Sequence, residues 1–144
     1  VLAHNPTWVS ISCGVNDVWH QFSSSGKGVP LSEYKKNMTE IVERCLREDC
    51  KVLLLTATPI YEDLDSKENR MLRSYNDFLR ALADEKNLLL CDLFKAFEEQ
   101  LKEKTAKENI LTTDGVHMNP KGNRLMAREI LRTLGAPHCD ELFD

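Results

Sequence analysis

The pattern of apolar and polar positions divides the chain into short apolar runs and longer segments with helical spacing. Three runs predict strands, at Trp8 to Cys13, Lys51 to Thr56 and Asn87 to Cys91. Their apolar residues follow one another with few polar breaks, which is typical of parallel strands that are covered on both faces. The runs therefore predict a parallel sheet buried between two layers.

Helices are predicted between these strands by apolar stripes that recur every three or four residues. The stripes run from about Ser32 to Glu48, from Met71 to Leu82 and from Leu93 to Leu101, after which the pattern dissolves into the polar stretch from Lys102 to Asn109. Alternation of strand and helix is typical of right-handed crossovers in a parallel α/β sheet. We expect a single domain over residues 1–144.

The last helix has clear boundaries in the sequence. Asn119 is a good N-cap, Pro120 suits the first helical position, and Gly135 ends the apolar stripe. In contrast, the segment from Ser23 to Gly28 (SSSGKG) predicts a flexible loop without secondary structure.

Composition and charge exclude several classes of function. With 144 residues and 42% hydrophobic content, the chain can build one core. Its 23 acidic and 19 basic side chains include no run of like charge, so nucleic acid is not expected as a partner. No apolar run approaches the roughly 18 residues that a membrane-spanning helix requires.

Cysteine usage predicts a cytoplasmic protein. The five cysteines are an odd number without a CxxC pair, and several lie in apolar runs, as expected of free thiols in a reducing compartment. The chain opens at Val1 rather than at a methionine and enters a strand at Trp8, as an excised piece would. The lack of a signal peptide therefore says little about secretion.

Functional side chains in parallel sheets gather beyond the carboxyl ends of the strands. This rule selects Gly14 to Phe22, Ala57 to Tyr61, and the stretch from Thr113 to His117. In the last of these, Asp114 and His117 are three residues apart and precede the final helix. A carboxylate bound to one imidazole nitrogen leaves the other nitrogen as a base for a serine hydroxyl. Taken alone, the pair is a weak signal, because a loop aspartate that precedes a helix beside a solvent-facing histidine is the more common arrangement.

The segment after the first strand carries a second pattern, Gly14-Val-Asn16-Asp17. Glycine lets the backbone turn at the strand end, and the Asn16 amide is a donor of the kind that stabilises an oxyanion. The alternative is a plain turn in which Asn16 and Asp17 bond their own backbone.

Together, ISCGVND and TTDGVHMNPKGNRLMA resemble the third and fifth conserved blocks of the SGNH (GDSL-type) hydrolase superfamily, and the resemblance spans Pro6 to Leu134. It implies a serine esterase with a flavodoxin-like, three-layer α/β/α fold and parallel strands in the order 2-1-3-4-5. It also implies that His117 is the general base, Asp114 its orienting carboxylate and Asn16 an oxyanion-hole donor.

Further roles follow from the same resemblance. Asp17 is expected to be structural, bonding the backbone around the turn. Gly14, Trp19 and His20 are expected on the substrate side, with pocket shape set by loops such as Val18 to Pro30. The sequence is equally compatible with an alternative in which Trp19 fills the core and His20 lies on the surface. Tyr61 and Met118 are weaker candidates for the rim of the pocket.

The resemblance breaks at the nucleophile. Members of the superfamily begin with a strand that ends in a GDS-type serine motif, followed by a block that supplies an oxyanion-hole glycine. None of the serines here lies in such a setting; they are Ser10, Ser12, Ser23, Ser24, Ser25, Ser32, Ser66 and Ser74. We therefore expect the nucleophile and the first two strands of the fold to lie outside this chain. The chain alone should be nearly inert, because triad members act as a unit.

An exposed edge follows from the missing strands. The strand from Trp8 to Cys13 would lose its central neighbour, and open backbone groups on an apolar edge invite pairing with another chain. We expect the 144 residues alone to aggregate, to dimerise through this strand, or to need the missing N-terminal segment.

Two other functions are compatible with the sequence. One is a non-catalytic binding or scaffold domain derived from such an esterase. The other is a metal site formed by Asp114, His117 and another histidine, which the absence of an HxH or HxxxH spacing disfavours. The resemblance implies no metal and no cofactor, and a small-molecule substrate: a short acyl ester, such as an acetylated carbohydrate.

Overall fold

The computed structural model describes residues 1–23, 26–102 and 109–136. Within these ranges the sheet has three parallel strands, β1 (Trp8–Ser12), β2 (Lys51–Leu55) and β3 (Leu89–Cys91), in the order β1-β2-β3. The three predicted strands and their parallel arrangement are thus confirmed, although β1 and β2 end one residue earlier than predicted and β3 begins at Leu89 rather than at Asn87.

Helices cover both faces of this sheet. They are α1 (Val15–Phe22), α2 (Leu31–Arg47), α3 (Lys67–Lys86), α4 (Leu93–Lys102) and α5 (Pro120–Thr133), with a short 3₁₀ helix at Leu2–His4. At the start of α5 the Asn119 side chain accepts the N–H groups of Lys121 and Gly122, which confirms the predicted cap. The polar stretch predicted after α4 lies mostly outside the described residues, as does part of the predicted loop from Ser23 to Gly28.

Helix α1 was not predicted, and the loop expected from Val18 to Pro30 is helical up to Phe22. Gly14 has a φ of 134°, which lets the backbone turn at the end of β1 so that the helix begins at the next residue. Val15, Val18 and Phe22 recur with helical spacing and pack on the core. This signal was present in the sequence, but α1 is too short to stand out from the motif it contains.

Strand β2 shows why the fold has three layers. Val52 and Leu54 belong to the core cluster on the side of α1, α2 and α3, where Val18 and Val42 are also buried. Leu53 and Leu55 point to the opposite side and pack with residues of α5. Successive side chains of a strand alternate between the two faces, so a run of buried leucines requires a helical layer on each side. The predicted α/β/α architecture is confirmed.

Strand β1 lies at an edge of the described sheet. Trp8, at its start, is 44% exposed, and Ile41 on α2 and Leu134 beyond α5 are similarly exposed on either side of the strand. Apolar grooves run along both faces of β1, one lined by residues that include Val9 and Ile41, the other by Trp8 and Leu134. The exposed edge agrees with the absence of the first two strands expected from the sequence. In the described ranges, no helix is both long and apolar enough to cross a bilayer.

Candidate active site

Asp114 and His117 form a closed pair on the turn that precedes α5. Oδ2 of Asp114 lies 2.7 Å from Nδ1 of His117, and Oδ1 accepts the backbone N–H groups of Val116 and His117 at 2.9 and 2.8 Å. Gly115, with a φ of 95°, allows the chain to reverse between them. The carboxylate therefore caps its own turn and holds the imidazole at the same time.

The charge state of the pair follows from these contacts. The backbone N–H of His117, its imidazole and the N–H of Val116 all lower the pKa of Asp114 well below its usual range. An ionised carboxylate only accepts hydrogen bonds, so Nδ1 of His117 must carry the proton and Nε2 is left to act as a base. The His117 side chain is 72% exposed, which leaves it open to a reacting group.

The GVND segment lies at the carboxyl ends of β1 and β2. Gly14 is buried at the start of α1, and Asn16 is exposed on the first helical turn. Asn16 lines a shallow pocket of about 210 Å³, whose other walls include Cys13, Gly14, Asp17, Ala57, Thr58 and Met126. The φ of Gly14 favours glycine, and an added Cβ would also lie 3.0 Å from Cβ of Ala57, a tight contact.

Asp17 lines the same pocket and is partly buried. Burial raises the pKa of Asp17, and the backbone N–H groups of Asp17 and Gly14 oppose that rise, as does the charge of His20. These surroundings suit the structural role predicted for Asp17, which is to hold the turn between β1 and α1.

Tyr61 connects the two motifs. The indole N–H of Trp19 donates to the Tyr61 hydroxyl, and the two rings meet edge to face with centroids 6.4 Å apart. On the other side, the backbone N–H of Tyr61 donates to the Gly115 carbonyl at 2.6 Å. His20 lies against Trp19, with ring centroids 5.4 Å apart. From the sequence, Tyr61 is only a candidate for the rim of the pocket, and nothing in the sequence signals this connection.

The two other candidates, Trp19 and Met118, both pack against the core. Trp19 is half-buried, and it packs on the core while its N–H reaches Tyr61, so its place on the substrate side stays a prediction. Met118 forms a bridge with Thr112 and, partly buried, packs against the apolar cluster around Leu111 and Leu125. Its place at the rim of the pocket stays a prediction.

The described residues also bear on the alternative of a metal site and on the position of the nucleophile. No group of three His, Cys, Asp or Glu side chains in residues 1–23, 26–102 and 109–136 could hold a metal ion, so a site built on Asp114 and His117 lacks a third ligand there. The hydrogen bond to the His117 ring in these ranges comes from Asp114, and no described serine hydroxyl donates to it.

Comparison with known proteins points to one family. The sequence model of the GDSL-like lipase/acylhydrolase family matches residues 1–125. An acetylxylan esterase from Geobacillus stearothermophilus is 33% identical over 138 residues, which cover 94% of this chain and 62% of that protein. The GDSL esterase/lipase CPRD49 from Arabidopsis thaliana is 30% identical over 146 residues, covering 92% of this chain and 56% of its own.

Solved structures agree with the sequence matches. The crystal structure of the Geobacillus stearothermophilus acetylxylan esterase superposes with a TM-score of 0.85 at 33% identity, over 94% of this chain and 62% of the other. Other crystals of that esterase hold catalytic mutants, one with an aspartate and one with a serine replaced by alanine. The chain thus spans between about half and two thirds of the length of these relatives.

Proposed function

Because the chain belongs to the GDSL-like lipase/acylhydrolase family, whose relatives here are esterases, we propose that it forms the acid–base part of a serine esterase. In this proposal His117 is the general base, Asp114 orients it, and Asn16 donates to the oxyanion. The serine nucleophile is contributed by residues outside the 144, in the portion by which the relatives are longer.

The observation that carries the proposal is the Asp114–His117 contact of 2.7 Å on a turn closed by two backbone N–H groups. Such a pair presets the imidazole tautomer before substrate arrives, which is the function of the carboxylate in a triad. In an incidental pairing of a loop aspartate with a histidine, Oδ2 would not be expected to contact Nδ1 while Oδ1 caps the same turn.

The reaction has two steps. The serine oxygen attacks the ester carbonyl while Nε2 of His117 takes the hydroxyl proton, and the negative charge that develops on the carbonyl oxygen is stabilised by the Asn16 amide. Collapse of the intermediate expels the alcohol, which receives the proton from His117 and leaves an acyl-enzyme. Water then repeats the sequence and releases the acid and the free serine.

The pocket dimensions favour a small acyl group. A pocket of about 210 Å³ beside Asn16 suits an acyl chain of a few carbons. The aromatic pair of Trp19 and Tyr61 adjoins the Asp114–His117 turn, because Tyr61 contacts Gly115, and it provides a partly polar aromatic wall. We propose an acetylated carbohydrate as the substrate, with its sugar ring against this wall, in line with the acetylxylan activity for which a relative is named.

The first measurement is the intact mass of the protein isolated from its source, followed by kinetics on that natural-length protein with p-nitrophenyl acetate. His117→Ala should lower kcat on the order of a millionfold, because triad members act as a unit. Asn16→Ala should lower kcat about a hundred to a thousandfold. His4→Ala, a replacement of an exposed histidine in the 3₁₀ helix, is the matched control and should leave kcat unchanged.

Each outcome distinguishes the esterase from the alternative. An unchanged rate in His117→Ala would rule out His117 as the base, and an unchanged rate in Asn16→Ala would remove Asn16 from the mechanism. A natural protein of only 144 residues without esterase activity would leave the non-catalytic binding domain as the better proposal.

The substrate is tested with Trp19→Ala. This replacement should raise KM for an acetylated xylo-oligosaccharide more than for p-nitrophenyl acetate, because only the oligosaccharide has a sugar ring that would lose its contact with Trp19.

A further inference from the structure

A buried carboxylate lies directly behind the Asp114–His117 turn. Glu62, in the segment after β2, is only 7% exposed. Its Oε1 accepts the backbone N–H groups of Leu111 and Thr112 at 2.8 and 2.7 Å and the Thr112 hydroxyl at 2.7 Å, while Oε2 accepts the N–H of Ile110 at 2.8 Å. Three consecutive backbone donors and a hydroxyl thus converge on one side chain from a segment about fifty residues away.

The contact continues into the turn itself. The Thr112 oxygen that donates to Glu62 also accepts the backbone N–H of Gly115 at 3.1 Å. The Gly115 carbonyl accepts the N–H of Tyr61, the neighbour of Glu62. The Gly115 carbonyl is therefore bound directly by Tyr61, and its N–H is bound by the Thr112 hydroxyl that donates to Glu62. A Cβ on Gly115 would lie only 2.9 to 3.0 Å from atoms of Tyr61.

The segment that holds the turn is itself fixed to α3. Asn76 donates to the Ala57 carbonyl and accepts its N–H, and Asn69 does the same for Ile60 while also donating to the Asp63 carbonyl. Both asparagines are completely buried. A continuous set of hydrogen bonds therefore runs from α3 through residues 57–63 to the turn that carries the base.

Backbone strain marks the centre of this connection. Tyr61 and Glu62 have φ values of 62° and 50°, two consecutive non-glycine residues in the left-handed region. This conformation costs free energy at each residue and persists only where surrounding contacts enforce it. Here it directs the Tyr61 N–H at Gly115 and the Glu62 carboxylate at residues 110–112.

We propose that Glu62 is a positioning residue, which sets the placement of the Asp114–His117 turn relative to α1 and the pocket beside Asn16. This inference rests on the proposed esterase function. A carboxylate suits this position because it offers only acceptors to several donors, whereas an amide would direct its own N–H groups at one of them. Charge-assisted bonds are also shorter and stronger than neutral ones, which keeps the turn in one place.

The test uses Glu62→Gln and Thr112→Val in the natural-length protein. Glu62→Gln keeps the shape and removes the charge, and Thr112→Val removes only the hydroxyl link to Gly115. Asp92→Asn is the matched control, because Asp92 is a partly buried carboxylate that accepts bonds from Arg80 and Thr56 and does not contact the turn.

Three readouts separate positioning from general stability. Amide hydrogen exchange at residues 110–112 should accelerate in Glu62→Gln and not in Asp92→Asn. With p-nitrophenyl acetate, kcat should fall about ten to a hundredfold in Glu62→Gln, as expected for a displacement approaching 1 Å, with KM changed by less than about threefold. Thr112→Val should cause a smaller fall in kcat in the same direction.

The third readout is the carboxyl carbon of Asp114, followed by NMR as the pH is lowered. The turn contacts lower the pKa of Asp114, so loss of positioning should raise it towards the ordinary value of about 3.9. Simply removing the negative charge of Glu62 would act in the opposite direction, because a neighbouring anion disfavours a second carboxylate. The sign of the shift in Glu62→Gln therefore distinguishes the two causes, and Thr112→Val changes no charge.

The outcomes are distinct for the two proposals. If the wild-type protein shows no esterase activity, the esterase proposal fails, while exchange and the Asp114 titration still decide the role of Glu62. If Glu62→Gln does not fold, Thr112→Val carries the test. The positioning role is overturned if the folded variants lose stability as Asp92→Asn does but keep the wild-type exchange, Asp114 titration and kcat.

Discussion

Gly122 provides the sharpest test of how closely α5 packs behind the candidate active site. It lies in the first turn of α5 and is buried, and a Cβ at this position would lie 2.1 Å from the Leu111 carbonyl oxygen and 3.0 Å from the Met118 sulfur. The carbonyl belongs to rigid backbone, since the N–H of Leu111 is bound to Glu62. Gly122→Ala therefore forces the start of α5 and the 110–112 segment apart.

The size of the effect follows from the distances. Contacts of a Cβ below 3.0 Å essentially never occur, so the two segments must separate by roughly 1 Å. Overpacking of this kind costs about 1–3 kcal/mol, against which the higher helix propensity of alanine returns up to about 1 kcal/mol. Because the displaced segment leads into Asp114, kcat should fall by up to about a hundredfold, beyond what the loss of stability explains.

The assay compares urea denaturation with steady-state kinetics on the natural-length protein. Asn123→Ala, at an exposed position in the same helical turn, is the control and should leave the free energy of unfolding within about 0.5 kcal/mol of the wild-type value. A Gly122→Ala protein with wild-type stability and wild-type kcat would refute the reasoning, because it would show that α5 and residues 110–112 can separate without moving the turn.

Three further predictions concern the core, an ion pair and the sheet edge. Leu54→Ala should lower the free energy of unfolding by about 2–5 kcal/mol, measured in urea, because Leu54 is fully buried. Burial alone would raise the pKa of Asp92, but the Arg80 guanidinium and other donors lower this pKa below its ordinary value. Ionised Asp92 therefore stabilises the fold above about pH 3.9, and this stabilisation is lost as the pH falls through the pKa of the folded state. Asp92→Asn should therefore lower the free energy of unfolding by about 1–3 kcal/mol at neutral pH, and by less in acid. A difference between variant and wild type that does not change with pH would contradict this. By sedimentation, the 144-residue chain should self-associate through β1 and Ser10→Lys should shift it towards monomer, whereas a stable wild-type monomer would count against an open edge.

Much of the fold was predictable because its signals are local. Strand β2 is a run of apolar residues, and α5 begins with Asn119 and Pro120, features read within one element. The Asp114–His117 pair is also local, because the two residues are three positions apart and Gly115 between them lets the chain turn. Helix α1 is the exception among the elements, because eight residues that also carry a motif offer a weak periodic signal.

What the sequence by itself determined is therefore the alternation of strands and helices and the identity of the residues that pair within one turn. Only the tertiary structure decided that Trp19 meets Tyr61 and that Glu62 holds residues 110–112, contacts that span 42 to 50 positions. For Glu62 the physical reason is that a side chain bound to backbone N–H groups needs no particular residue type at the other end. Every non-proline residue offers such a donor, so the choice among them is made by the packing of the sheet and helices.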